Sequence, residues 1–342
     1  MKNGKQIILG IESSCDETAA AIVSDGREVL SNIIASQIDV HAVFGGVVPE
    51  IASRHHLTTI NGIVEEALRV AGVSTSEVDA IAVTKGPGLV GAVLIGLATA
   101  KAMAYVTGCP LIGVHHIKGH ICAALLEHPG LEPPFTALVV SGGHTSIIDV
   151  RGLAGEEGDM VVLGKTRDDA AGEAYDKVAR VLGLGYPGGP KVDKLAKDGD
   201  PEAITFKRSM LEEGNLDFSF SGLKTGVINY IHTQKQAGAD FNRADVAASF
   251  QQSVIDVLVE KTRQSLVLTG RKKIVLVGGV AANSALRQGM QKMCAEEGIE
   301  LFIPSPVYCT DNAAMIACAG YYEFISGKRD GLDLDAYATL SL

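Results

Sequence analysis

An α/β chain of two like halves is what this sequence predicts, on three observations. Short apolar strands alternate with helical stretches along the whole chain, without a linker or low-complexity tract. A strand, polar turn and second strand at Gln6–Val23 return as the same plan at Phe135–Val150. Later in each half comes a strand, a glycine turn and a helix: Ala80–Val83 before Gly86-Pro-Gly-Leu-Val-Gly91, and Ile274–Val277 before Gly278-Gly-Val-Ala-Ala-Asn283. Such halves imply duplicated domains facing across a cleft. His-Pro-Gly-Leu-Glu-Pro-Pro at 128–134 breaks the pattern, so the domains are expected at 1–130 and 131–342, with a C-terminal helix able to pack back on the first.

Size and composition fit this plan. With 342 residues, 46% of them hydrophobic, the chain can bury two cores, and with 5% aromatics and no tryptophan those cores are aliphatic. Leu89–Val106 is a long apolar run rich in glycine and alanine, and Lys101 within it argues for a buried helix rather than a membrane span. Met-Lys-Asn-Gly-Lys leads straight into a strand and lacks the shape of a signal peptide. Six cysteines show neither CxxC spacing nor a disulfide framework, which fits a reducing cytoplasm and no membrane. A net charge of −10 argues against non-specific nucleic-acid binding through overall charge. Local basic strips remain at Lys191, Lys194 and Lys197 and at Arg271, Lys272 and Lys273, although such clusters are usually solvated faces.

In the first hairpin tip, Ser13–Thr18, Glu12 and Asp16 lie close together, a spacing suited to acid–base or ligand-orienting work, or to an ordinary surface turn. Gly86–Gly91 is formally a GxGxxG, but Tyr105–His116 holds no acid to grip a ribose, so a dinucleotide fold fails its check. No P-loop is present either. The strand after Pro110 turns directly into His116 and His120 at i, i+4. On a helix these face the same way one turn apart and could hold a metal, or simply hydrogen-bond in a core. Ile117 occupies the place where a metallopeptidase helix carries its glutamate, so a metal here would lack a built-in base.

In the second half, Ser141-Gly142-Gly143-His144 puts two residues without side-chain bulk at a hairpin tip, where backbone N–H groups can approach an anion. Gly183–Pro190, followed by Asp193, is a glycine-rich loop entering a helix, and Asp193 can accept ribose hydroxyls. Gly278, Gly279 and Asn283 are placed to cover the other side of the same nucleoside, with Asp193 and Asn283 expected to act from opposite domains. Asp311 is either the N-cap of the following helix or the third member of a His-His-Asp site that leaves coordination positions open.

Gly-Ile-Glu-Ser-Ser-Cys-Asp-Glu-Thr at 10–18, His-His-Ile-Lys-Gly-His at 115–120, Val-Ser-Gly-Gly-His-Thr at 140–145 and Gly-Gly-Val-Ala-Ala-Asn at 278–283 together resemble the bacterial TsaD family. Its relatives are the catalytic subunits of KEOPS, formerly called glycoproteases. The resemblance implies the actin/sugar-kinase/Hsp70 (ASKHA) ATPase fold. It also implies transfer of a threonylcarbamoyl group from threonylcarbamoyl-AMP to N6 of the adenosine beside the anticodon, in tRNAs reading codons that begin with A. Carried over, the metal ligands fall on His116, His120 and Asp311, and the nucleotide contacts on Val139, Val140, Ser141, Gly142, Gly143, Asp176, Gly189, Asp193 and Asn283. Archaeal members offer a tyrosine to the metal where this chain has Val139. The implied cofactor is one divalent metal, iron(II) by family habit or zinc. The implied companions are tRNA, a shorter paralogue of the same fold (TsaB-like) and a small P-loop ATPase (TsaE-like). Glu12 and Asp16 are the candidates to accept the proton leaving the adenine amine. The rival classes are a metal-dependent glycoprotein endopeptidase and a non-catalytic ATPase of the same fold.

Overall fold

The structure, a computed structural model, describes residues 4–212 and 214–342. Its contacts divide the chain into two units. The first takes the residues up to Pro133 together with Val150–Met160 and Pro304–Leu342, and the second takes Pro134–Asp149 and Val161–Ile303.

The first unit opens with strands β1 (Ile7–Glu12), β2 (Glu17–Ser24) and β3 (Glu28–Ser36), followed by helices α1 (Ile38–Ala42) and α2 (Pro49–Ala71). Strand β4 (Ala80–Gly86), helix α3 (Val90–Thr107), strand β5 (Leu111–His115) and helix α4 (His116–Glu127) complete its N-terminal part. The sheet runs β3-β2-β1-β4-β5, antiparallel through the hairpins and parallel from β1 to β4 to β5. Every residue of β1 is buried, the pattern of a strand covered on both faces. Ile7, Leu9 and Ile11 form one core with Ile60 and Val64 of α2 and Leu97 and Ala100 of α3.

The expected buried helix at Leu89–Val106 is α3, but it is covered along one side only. Ala92, Val93, Gly96, Leu97, Ala100 and Ala104 are buried, whereas Leu94, Tyr105 and Val106 are exposed. Apolar residues all round a helix carry no periodicity, so the sequence could not say which side faces water. By length and composition α3 is also apolar enough to cross a membrane. The glycines before it serve packing: a Cβ on Gly88 would stand 2.7 Å from Ser14 Cβ.

The second unit repeats the plan with β6 (Phe135–Val140), β7 (Thr145–Val150) and β8 (Met160–Lys165), then helices α5 (Ala171–Val181), α6 (Gly188–Ala196), α7 (Ser221–Gln236) and α8 (Arg243–Thr269). Strand β9 (Lys273–Val277), helix α9 (Ser284–Glu297) and strand β10 (Glu300–Phe302) follow. Its sheet runs β10-β9-β6-β7-β8. Numbered within each unit, both sheets therefore have the strand order 3-2-1-4-5, and the duplication read from the hairpins extends to the whole topology.

The chain then returns to the first unit with α10 (Pro306–Cys309) and α11 (Ala313–Ile325). Helix α11 lies on β1, β4 and α4. A Cβ on Gly10 would collide with Ala313 O and stand 2.8 Å from Ala317 N, so glycine there is what lets the helix reach the strand.

Candidate metal centre and nucleotide loops

Helix α4 begins where β5 ends, and His115 makes the join. Its Nδ1 accepts from Ile117 N at 3.2 Å, capping the helix, and its Nε2 faces Leu340 O at 3.2 Å. One turn of helix then brings His116 and His120 to the same face, with ring centroids 4.7 Å apart and the rings nearly perpendicular. Asp311 arrives from the C-terminal return, its Oδ1 lying 3.5 Å from His116 Nε2 and 3.1 Å from His120 Nε2. One donor atom from each residue falls within a 4.8 Å span. The bland role considered for Asp311 belongs to its neighbour, since Asn312 Oδ1 caps α11 through Met315 N.

The donor set fits a divalent cation. Both ring nitrogens of buried His120 lack a hydrogen bond of acceptable geometry among the described residues. The Nδ1 of His116 is engaged by Glu12 Oε2 at 3.0 Å and by Ser14 Oγ at 3.2 Å, which leaves Nε2 for a metal. Burial disfavours a charged imidazole, yet Glu12 and Asp311 push the His116 ring well above its usual range. Against the same burial, His116 and His120 hold the Asp311 carboxyl well below its own. A buried cluster of two imidazoles and a carboxylate that favours a bound proton is one in which a metal can take the proton's place.

Glu12 is fully buried, with Oε1 accepting from Ser14 N at 2.5 Å and Oε2 from Thr84 Oγ1 at 2.6 Å. Asp16 lies in the same turn and is nearly buried. The neighbouring Glu17 carboxyl is pushed up to about 10 by burial, Asp311 and Asp16. Sequence reasoning did not single out Ser14, Thr84, or the buried pair Thr18 and His56, whose Oγ1 and Nδ1 lie 2.8 Å apart. For Ser14 a signal existed, because it follows Glu12 in the hairpin tip. For Thr84 and His56 none did.

The nucleotide candidates gather in the second unit. In the tip after β6, Ser141 N donates to His144 O at 2.8 Å and His144 N to Ser141 Oγ at 3.1 Å. Space beyond Gly142 and Gly143 is open, whereas a Cβ on Gly172 would stand 2.6 Å from Ser141 O. Val139 and Val140 are fully buried strand residues, Val139 being paired with Val277 of β9. Asp176 Oδ1 accepts from Gly188 N at 2.7 Å, shaping the entry to α6, and Gly189 beside it is open. Asp193 accepts from Ser284 Oγ at 2.9 Å. Asn283 caps α9 through Leu286 N, and its Nδ2 donates to Gln251 Oε1 at 2.8 Å. Asp193 and Asn283 thus share one unit rather than lying in opposite domains. The domain limits expected from the sequence, 131–342 for the second half, already hold both residues, and the structure keeps them together there rather than in opposite domains.

Two sheets of identical strand order, one unit carrying a His-His-Asp donor set, define an ASKHA-like α/β protein with a candidate metal centre. Solved structures agree on the fold. The chain superposes on full-length HypF in its phosphate- and nucleotide-bound form with a TM-score of 0.63 at 15% identity, over 94% of this chain and 47% of that one. Component A of (R)-2-hydroxyglutaryl-CoA dehydratase from Acidaminococcus fermentans gives 0.56 at 16% identity, over 94% and 100%. In sequence, residues 28–318 match the model of the family TsaD, tRNA N6-adenosine threonylcarbamoyltransferase. A protein of that name from Clostridium botulinum (strain 657) is 57% identical over 98% of this chain and 97% of its own. Another from Clostridium perfringens (strain SM101) is 55% identical over 99% and 98%. The chain belongs to the TsaD family.

Proposed function

We propose that this chain transfers a threonylcarbamoyl group from threonylcarbamoyl-AMP to N6 of the adenosine beside the anticodon, in tRNAs reading codons that begin with A, and releases AMP. Family membership supports the reaction. The convergence of His116, His120 and Asp311 is the observation that carries the chemistry.

The donor is a mixed anhydride, so AMP is a good leaving group. The adenine amine is a poor nucleophile, because its lone pair is delocalised into the ring. Catalysis therefore rests on positioning and on stabilising charge at the carbonyl and phosphate. His116, His120 and Asp311 would hold one divalent ion, iron(II) first and zinc as the alternative, and such an ion supplies Lewis acidity. Glu12, with both oxygens committed, orients His116 and fixes its tautomer. That leaves Asp16 as the remaining carboxylate to take the proton from the amine. Backbone amides of Gly142 and Gly143 receive the phosphate, with Ser141 N closing the tip on His144 O, while Asp176, Gly189, Asp193 and Asn283 shape the nucleoside site. Val139 and Val140 end the strand that carries this tip.

The companions are tRNA, a shorter TsaB-like paralogue and a TsaE-like P-loop ATPase, in the cytoplasm. Mass analysis of tRNA nucleosides after threonylcarbamoyl-AMP is supplied to the chain and its companions tests the reading. Threonylcarbamoyladenosine with matching AMP release is expected. Unmodified tRNA would overturn it, and chelator-sensitive proteolysis in its place would favour the peptidase class.

A further inference from the structure

Lys118 stands between the two histidines of α4 and has no part in the site above. Two residues along a helix is a rotation of about 200°, so Lys118 points away from the face that carries His116 and His120. It is nonetheless buried, 5% exposed, and its Nζ donates to Glu323 Oε1 at 2.8 Å. Glu323 is 2% exposed and lies near the end of α11, the helix that starts two residues after Asp311. Its second oxygen is taken by Lys328. Nearer the start of α11 the same two helices touch closely: a Cβ on Gly119 would stand 2.7 Å from Ile316 Cδ1.

Burying a charged pair costs desolvation that its attraction often only matches, and an apolar pair of similar volume would hold two helices together as well. What an ion pair adds is direction, since apolar surfaces slide and a short N–H···O contact does not. Metal ligands need that direction, because the donors must sit within about 0.2 Å of their ideal distances. Asp311 has to meet two imidazoles on a different helix, so the slide of α11 along α4 sets whether the three donors coincide.

Resting on the metal reading above, we propose that Lys118 is a positioning residue. Through its ion pair with Glu323 it sets the register of α4 against α11, and with it the distance of His116 and His120 from Asp311.

Zinc affinity by chelator competition and the d–d spectrum of the cobalt(II) form test this on the full chain without any activity assay. Lys118→Met should bind zinc at least ~10-fold more weakly and shift the cobalt bands, while Lys118→Arg should stay within about 3-fold of the parent, as residues supporting metal ligands do. Lys328 still neutralises Glu323 in Lys118→Met, so the fold should survive. A purely structural pair would lower the melting temperature of the metal-free protein and leave affinity and spectrum alone, which would overturn the proposal. Should Lys118→Met fail to fold, Glu323→Asp keeps both charges and shortens the link by one methylene. Unchanged zinc affinity in that variant overturns the proposal equally. The His116→Ala/His120→Ala variant should bind no zinc. Tight binding there would overturn the metal reading itself, an outcome separate from parental affinity in Lys118→Met.

Discussion

At the scale of single residues, the proton held by His116 is the competitor that any metal must displace. Its imidazole is raised by Glu12 and Asp311, so near neutral pH the metal-free site still carries that proton. Lowering the pH therefore favours the protonated, metal-free form. Zinc affinity measured by competition between pH 8 and 6 should fall as pH falls, about tenfold per unit for one displaced proton. A flat profile would place the proton elsewhere. Substituting alanine at both His116 and His120 should abolish metal binding and transfer with an unchanged circular dichroism spectrum, and full metal occupancy by elemental analysis would sink the ligand assignment. Glycines give a contrasting pair. Gly10→Ala drives a methyl into the backbone of α11 and should cost at least ~2 kcal/mol in denaturant unfolding. Gly142→Ala meets open space, so it should leave stability alone yet weaken AMP binding by calorimetry. The histidine pair was legible because i, i+4 spacing after a strand has a fixed geometry. Asp311 was legible only as a choice between helix cap and third ligand, since spacing across the chain has no such rule, and the family resemblance favoured the ligand. The burial of Glu12 was not legible, because tip carboxylates usually face water and Thr84, which holds this one, comes from another strand.

Among elements, α2 and α3 both leave large apolar side chains of the first unit in water. Leu57 and Val70 on α2, and Leu94, Tyr105 and Val106 on α3, are exposed. We expect this face to receive the shorter paralogue. Leu94→Glu combined with Val106→Glu should abolish co-purification with that companion while shifting stability by no more than ~0.5 kcal/mol, as surface changes usually do. Retained co-purification would move the contact elsewhere. Strand recognition from sequence divided along physical lines. Strands buried on both faces, such as β1 and β6, are continuous apolar runs and stood out. The edge strands β3 and β8 mix exposed and half-buried positions without clean alternation, and only pairing with β2 and β7 defines them.

For the whole molecule, the balance of −10 has to be reconciled with a polyanionic substrate. Phosphate contacts and counterion release supply most RNA affinity, and this chain has few cations to offer. The chain alone should bind tRNA weakly with a shallow salt dependence and modify it poorly, with both companions restoring turnover. Equal multiple-turnover rates with and without them would show the partner requirement to be wrong. The doubled plan was readable because both hairpins repeat. A C-terminal helix packing back on the first domain was among the expectations, but the residue at which the chain crosses back, Pro304, was not legible, because helix sequence does not announce which sheet it will cover. That return has a consequence for biosynthesis. A ribosome releases His116 and His120 long before Asp311, and it completes the second unit before α11 exists. The half translated first is thus the last to finish folding, and until then the face of β1 bearing Gly10 awaits its cover. A message truncated before codon 304 would yield one finished unit joined to one with an open apolar sheet, a product that chaperones and proteases should recognise.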